Sequence, residues 1–297
     1  MLVTGSRGFV GGYLVPRLEE RGFRPLGTDR EDLDVTDPEA VAAIVASERP
    51  DAIVHLAALS SVGAAQSDPR QAFRVNFAGA RNLLAAVSRH APRARVLLVG
   101  SGEAYGPLAA EAAPFDEGAA LRPASVYGRS KAAAELLGAA WSARGLDVVR
   151  VRAFNHTGPG QSDDFVLASF ARQLCAIEKQ QQEPVIRTGN LESIRDFLDV
   201  RDVVAAYAAL LERRVPRGAY NVASGIGLRI GALLERLMEI VAVRADVCVE
   251  PARLRPPDRS IGDASRLRRA TGWAPRIAIE CTLASLADDW RRRVSAA

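Results

Sequence analysis

At 297 residues, with 48% apolar and 25% charged residues, the chain has the composition of a globular protein large enough to bury a full core. Its net charge of +4 is carried by scattered arginines, with Lys131 and Lys179 the only lysines. That excludes the clustered basic stripe of a nucleic-acid binder and suits an anionic small substrate.

Three cysteines and three histidines without close spacing predict free thiols and no metal site. The chain opens on Met1-Leu-Val-Thr-Gly, which has neither the basic nor the long apolar region of an export leader. The longest apolar run, Ala52–Leu59, is strand-sized. The expectation is a cytoplasmic protein with no membrane partner.

In chain order, β-branched runs predict strands at Leu2–Thr4, Pro25–Thr28, Ala52–Leu56, Arg95–Val99 and Asp147–Val151. Between them, Phe9–Arg21, Pro38–Ser47, Pro69–His90 and Ser125–Arg144 read as helices, two of them opening with an Asp-Pro cap signal. Such alternation calls for a parallel sheet covered on both faces. Past Asn155 the pattern loosens. Thr157-Gly-Pro-Gly reads as a turn, Val185–Thr188 and Gly218–Ala223 as strands, and Glu250–Asp258 as a charged loop. Phe165–Lys179, Val200–Arg213, Ile230–Val243, Ala264–Thr271 and Ile279–Val294 read as helices. The stretch Arg195–Ala223 is expected to return to the main sheet.

Gly5-Ser6-Arg7-Gly8-Phe9-Val10-Gly11 follows the first strand and opens the first helix. Its glycines permit a tight turn, close approach to a pyrophosphate and close helix–strand packing, and the helix N-terminus supplies backbone N–H groups. With the alternating pattern this predicts an α/β fold with a Rossmann-type doubly wound parallel sheet. Residues 1–155 plus 196–223 would form the dinucleotide-binding part, and residues 156–195 plus 224–297 a smaller interleaved substrate part. Asp29, ending the second strand, suits ribose hydroxyls and NAD(H); Arg30 suits a 2′-phosphate and NADP(H). The cofactor is therefore NADP(H) or NAD(H). Asp34 lies where a next strand would approach the adenine.

Tyr127-Gly-Arg-Ser-Lys131 puts a phenol and an ammonium four residues apart on one helix face. A free phenol titrates at about 10, too high for efficient proton exchange at neutral pH. An adjacent ammonium is expected to favour the phenolate. Ser101, at the carboxyl end of the fourth strand, can hydrogen-bond the oxygen on which Tyr127 acts.

On these residues, together with Val3-Thr-Gly, His55-Leu-Ala-Ala58, Val75-Asn76, Tyr105-Gly and Tyr220-Asn-Val, the chain resembles the extended short-chain dehydrogenase/reductases of nucleotide sugars. Phe154-Asn-His-Thr-Gly-Pro-Gly-Gln161, Gly189–Phe197, Asp199-Val-Arg-Asp, Arg255-Pro-Pro-Asp258 and Gly262-Asp-Ala-Ser look most like the branch acting on GDP-6-deoxy-hexoses. The resemblance implies cofactor contacts from Arg7, Phe9, Val10, Val35, Leu56, Ala57 and Ala58. It implies substrate contacts from Ser60, Asn155, Arg195, Arg255 and Asp258, and a homodimer through the helices of Pro69–His90 and Ser125–Arg144. Two activities stay open. A reductase would reduce a GDP-4-keto-6-deoxy sugar to a GDP-rhamnose-type product; a dehydratase would use Glu103 on the C5 proton. An epimerase, and a cofactor sensor without catalysis, are the further alternatives.

Overall fold

The computed structural model describes residues 1–109, 111–212, 214–251 and 256–295. Its first half runs β1 (Leu2–Thr4), α1 (Phe9–Glu20), β2 (Leu26–Thr28), α2 (Pro38–Glu48) and β3 (Ala52–His55). It continues with α3 (Val62–Ser67), α4 (Pro69–Phe73), α5 (Gly79–His90), β4 (Arg95–Ser101), α6 (Val126–Ala143) and β5 (Asp147–Ala153). The second half runs β6 (Asn155–Thr157), α7 (Val166–Glu178), β7 (Val185–Thr188), β8 (Ile194–Asp199), α8 (Val200–Leu210) and β9 (Gly218–Val222). It ends with β10 (Gly227–Arg229), α9 (Ile230–Val241), β11 (Asp246–Val249), β12 (Arg259–Ser260), α10 (Ser265–Thr271) and α11 (Ile279–Ser295).

The main sheet has the order β2-β1-β3-β4-β5-β9, and every pairing in it is parallel. Successive strand residues point to opposite faces, so each strand feeds two cores. Val3, Val54, Leu97 and Val149 pack with α1 and α8. Leu2, Ile53, Val96, Leu98 and Val148 pack with α2, α5 and α6. A sheet covered on both faces needs apolar residues at consecutive positions, which is what the β-branched runs supply. Chain direction across the sheet reverses between β1 and β3, opening a crevice at their carboxyl ends where ligands of such sheets bind.

A second sheet, β10-β8-β12 with β6 also on β8, and the parallel pair β11-β7 surround a separate apolar cluster built by α7, α9 and α11. The return to the main sheet thus starts later than expected. β8 belongs to the second sheet, and the chain rejoins the first through α8, which packs on α1, and β9, which pairs with β5.

Two further expectations are corrected. The helix over 69–90 is broken by a π turn at Arg74–Ala78. Asn76 sits in it, its side chain bonded to the Leu59 backbone N–H and carbonyl and to Ser130 Oγ. No strand forms at Leu33–Val35. Asp34 Oδ1 instead closes a turn on the Thr36 N–H at 2.8 Å, and Asn82 Nδ2 takes the Val35 and Thr36 carbonyls.

Candidate active site

The carboxyl ends of β1, β3, β4 and β5 converge on one crevice, and its floor is the glycine loop. Gly5 adopts φ +73, and a Cβ there would come within 2.8 Å of the Ala57 nitrogen. A Cβ on Gly11 would strike the Gly5 and Ser6 carbonyls. Gly8 caps α1 without a side-chain bond, leaving the first-turn N–H groups aimed outward with their partial positive charge. This cradle fits a pyrophosphate. Thr4 Oγ1 ties the loop to β3, lying 2.8 Å from His55 Nδ1 and accepting from the Ala57 N–H at 3.3 Å. Leu56 and Ala57 therefore border the cradle, with Ala58 next along the chain.

Asp29 accepts from the Arg7 and Arg30 N–H groups at 3.0 and 2.8 Å. The Arg7 guanidinium reaches out to Glu31 and Asp32. Asp34 is exposed, its carboxyl held below the ordinary value by the Thr36 backbone bond, and Val35 packs under Gly79. Neither forms a bond with the glycine loop. Phe9 stacks on His156, centroids 6.2 Å apart and planes 5° from parallel, and Tyr13 Oη donates to the Pro159 carbonyl at 2.8 Å. Val10, half-buried, packs against the core that α1 shares with the sheet.

Ser101 ends β4; its Oγ accepts from the Glu103 N–H at 3.2 Å and lies close enough to the Tyr127 phenol on α6 to lower its pKa. Ser125 caps that helix on the Gly128 N–H and donates to Glu103 Oε2 at 3.2 Å. Lys131 Nζ, one turn beyond Tyr127, donates to the Val99 carbonyl at 2.8 Å.

Burial pushes the Tyr127 phenol up to about 12; the Ser101 hydroxyl pulls it down and the Glu103 charge pushes it up. Burial brings Lys131 down to about 8. Within the chain alone burial outweighs the other influences on the phenol, and Lys131 is not among them. The ammonium is committed to the Val99 carbonyl, and loss of solvent around the phenol outweighs what remains. His55, fully buried, is brought down to about 3 by desolvation and then by the Lys131 charge, so it is neutral.

On the substrate side, Asn155 opens β6 opposite Phe197. Arg195 Nη2 lies 2.6 Å from Asp258 Oδ1, and Arg195 Nη1 bonds the Asp258 carbonyl at 3.0 Å. These two are therefore partners of one another. Ser60 is exposed ahead of α3, and Arg255 lies outside the described residues. Sequence reasoning gave no part to Ser125 and Ser130, which join Glu103 and Asn76 to α6. A polar Asn in mid-helix was the available signal for the second link, since Asn is a poor helix former unless its side chain has a partner.

Among the described residues, no group of three or more His, Cys, Asp or Glu is placed to hold a metal, and no helix is long and apolar enough to cross a membrane.

The sequence pattern of the NAD dependent epimerase/dehydratase family matches residues 1–223. The GDP-6-deoxy-D-mannose reductase of Pseudomonas aeruginosa is 36% identical over 301 aligned residues, taking in 99% of this chain and 98% of that protein. The GDP-6-deoxy-D-talose 4-dehydrogenase of Aggregatibacter actinomycetemcomitans is 31% identical over 92% of this chain and 91% of its own. Among solved structures, RMD from Pseudomonas aeruginosa complexed with NADPH superposes with a TM-score of 0.89 at 35% identity, over 98% of this chain and 99% of that one.

Proposed function

The chain belongs to the NAD dependent epimerase/dehydratase family, and from that premise we propose that it reduces the C4 ketone of a GDP-4-keto-6-deoxy-hexose with NAD(P)H. The observation that carries this reading is a buried phenol held in its acid form beside Ser101 at the carboxyl edge of the sheet. Reduction of a ketone leaves an alkoxide that must be protonated, and a phenol that keeps its proton is the group for that step. The end-to-end likeness to a GDP-6-deoxy-D-mannose reductase supports the same substrate class.

The dihydronicotinamide supplies the hydride when bound. Gly5, Gly8 and Gly11 leave room for the pyrophosphate, and the open first turn of α1 offsets its charge. Ser101 Oγ holds the carbonyl oxygen in line with Tyr127 Oη, which passes its proton to that oxygen as C4 becomes tetrahedral. Lys131 holds the nicotinamide ribose and, as an ammonium, eases the return of a proton to Tyr127. Asn155 and Arg195 face the diphosphate, where a planar guanidinium fork matches phosphate oxygens. Engagement of Glu103 with Ser125 at the head of α6 favours reduction over dehydration, because the carboxylate then serves the helix cap.

The protein is placed in the cytoplasm, a compartment that keeps thiols reduced. Its oligomer is a homodimer through α4, α5 and α6, where Leu136 is 63% and Phe73 39% exposed. The deciding assay supplies GDP-mannose alone, and then the 4-keto sugar with NADPH or NADH. Stoichiometric cofactor oxidation with the keto sugar is expected. Keto-sugar formation from GDP-mannose without added reductant would replace the reading with a dehydratase.

A further inference from the structure

The face of α6 that carries Tyr127 and Lys131 continues for one more turn. Positions 127, 131 and 135 recur every four residues and stack along one side of the helix. Tyr127 is 9%, Lys131 7% and Glu135 4% exposed. The reduction uses the first two and gives Glu135 no part. A carboxylate at that depth is costly unless it is paired and fully hydrogen-bonded.

Arg152 on β5 provides both. Its Nε donates to Glu135 Oε1 and Oε2 at 2.8 and 2.9 Å, and Nη2 donates to Oε1 as well. The same guanidinium lies over the Tyr105 ring, 4.7 Å from its centroid. Its Nη1 donates to Tyr105 Oη at 2.6 Å and to the Glu117 carbonyl at 3.1 Å. Tyr105 Oη shares its proton between the Asp116 carbonyl and Asn221 Oδ1, each at 2.8 Å, and Asn221 belongs to β9.

Stability alone does not account for such a pair. An apolar pair of similar volume holds a core as well or better, because desolvation consumes the Coulombic gain. What the pair adds is geometry. Arg152 stands in register with Gly100, and the next pair in that ladder is Ala153 with Ser101. The fork therefore fastens α6 to the sheet one rung from the hydroxyl beside Tyr127. A Cβ on Gly100 would come within 2.6 Å of the Val151 carbonyl, so glycine there lets β4 and β5 lie close beneath the fork. Tyr105 closes the turn over Gly102–Ala104 that carries Glu103.

We infer that Glu135, clamped by Arg152 and Tyr105, is a positioning residue that fixes the rotation of α6 and so holds Tyr127 Oη against Ser101 Oγ. The inference rests on the proposed reduction, in which those two oxygens share the substrate carbonyl. A bidentate fork sets rotation about the helix axis as well as distance, where apolar contact permits slip. Misplacing a reacting group by about 1 Å costs roughly 100-fold in rate.

The test compares Arg152→Met with the double variant Glu135→Met/Arg152→Met. The single change removes every hydrogen bond Arg152 gives the buried carboxylate, leaving it only the more distant Arg150, whose Nε lies 4.0 Å from Oε1, and lowers Tm. The double change fills the space without charge and restores Tm. In the double variant kcat is expected to stay roughly 10- to 100-fold down, with KM for the keto sugar unchanged. Recovery of kcat together with Tm overturns the inference and leaves the cluster a structural strut.

A second readout needs no turnover. The Tyr127 phenol, followed by ultraviolet difference titration against a Tyr127→Phe background, should titrate at higher pH once the Ser101 hydroxyl draws away. Ser101, Glu103, Lys131 and Tyr207 flank or act on that phenol and are untouched by the variants. An unshifted titration overturns the inference. Wild-type protein that fails to reduce the keto sugar overturns the proposed function, and the titration still decides the role of Glu135. Should the double variant not fold, Arg152→Lys, which keeps the charge and loses the fork, carries the test with the same two outcomes.

Discussion

The proposed reduction uses Tyr127 as an acid. Replacing it by phenylalanine removes one oxygen and leaves the ring packing of α6 in place. The expected result of Tyr127→Phe is a fall in kcat of about 10²- to 10⁴-fold with little change in KM, read as NADPH oxidation with the keto sugar. Activity close to wild type would refute the mechanism. Lys131 makes a separate prediction about stability. Its amine ordinarily titrates at 10.5 and here at about 8 because burial disfavours the charge. Between those values the unfolded chain binds more protons than the folded one, so stability rises with pH across the window, by up to about 1.4 kcal/mol per pH unit. Lys131→Met should flatten that rise and be more stable than wild type at pH 7, as measured by urea unfolding. His55 follows the same sign at acid pH. Its folded value of about 3 lies below the ordinary 6.5, so its contribution is complete above 6.5 and is lost as pH falls toward 3. His55→Asn, which keeps an acceptor for Thr4, should shallow the acid limb of the same measurement; an unchanged limb would rule His55 out as its source.

At the scale of elements, the glycine loop makes the sharpest prediction. Gly5→Ala forces an alanine to φ +73 and drives its methyl against the Ala57 backbone. Such a left-handed residue costs on the order of 1–2 kcal/mol before any clash, and the loop must shift to relieve it. Binding of NADPH should weaken by at least about 10-fold, seen by calorimetry, while Gly12→Ala, with open space around its Cβ, should bind as wild type. Equal affinities in the two variants would remove the loop from the cofactor site. This loop was legible in the sequence because glycine spacing and strand–helix context act over a few residues. The strands and helices of the first half were legible for the same reason: consecutive apolar positions buried on both sheet faces leave a local pattern. The second sheet was not. β6, β10 and β12 are two or three residues long, and β8, Ile194-Arg-Asp-Phe-Leu-Asp, carries three charges, of which Arg195 and Asp196 are satisfied by distant partners. Asp196 takes the Ser224, Gly225 and Gly262 N–H groups, and Arg195 takes Asp258. The break at Arg74–Ala78 was hidden too, since Asn76 finds Leu59 and Ser130 only once the chain is folded. The burial that raises the Tyr127 phenol within the chain alone was not legible either, because a Tyr–Lys spacing gives no measure of it.

For the whole molecule, the helices that carry the site also present its outer apolar surface. Leu136 stands exposed on α6, the helix whose inner face holds Tyr127, Lys131 and Glu135, and α4 and α5 pack beside it. Leu136→Glu should move the protein from dimer to monomer in sedimentation at micromolar concentration and make Tm less dependent on protein concentration. An unaltered oligomer would place the interface elsewhere. In the proposed dimer α6 faces both the partner and the catalytic crevice, so the monomer is also expected to show a lower kcat.

The pairing of β5 with β9 has a consequence for how the protein is made. Val149 lies opposite Gly218 in that ladder, and the elements from β6 to α8 come between them in the chain. A ribosome adding about 5–20 residues per second takes on the order of several seconds to cover that stretch. Throughout that interval the nascent sheet ends on a bare β5, with unpaired N–H and carbonyl groups available to any other extended segment. The same insertion that brings the second sheet beside the first therefore leaves the unfinished sheet exposed to aggregation during synthesis.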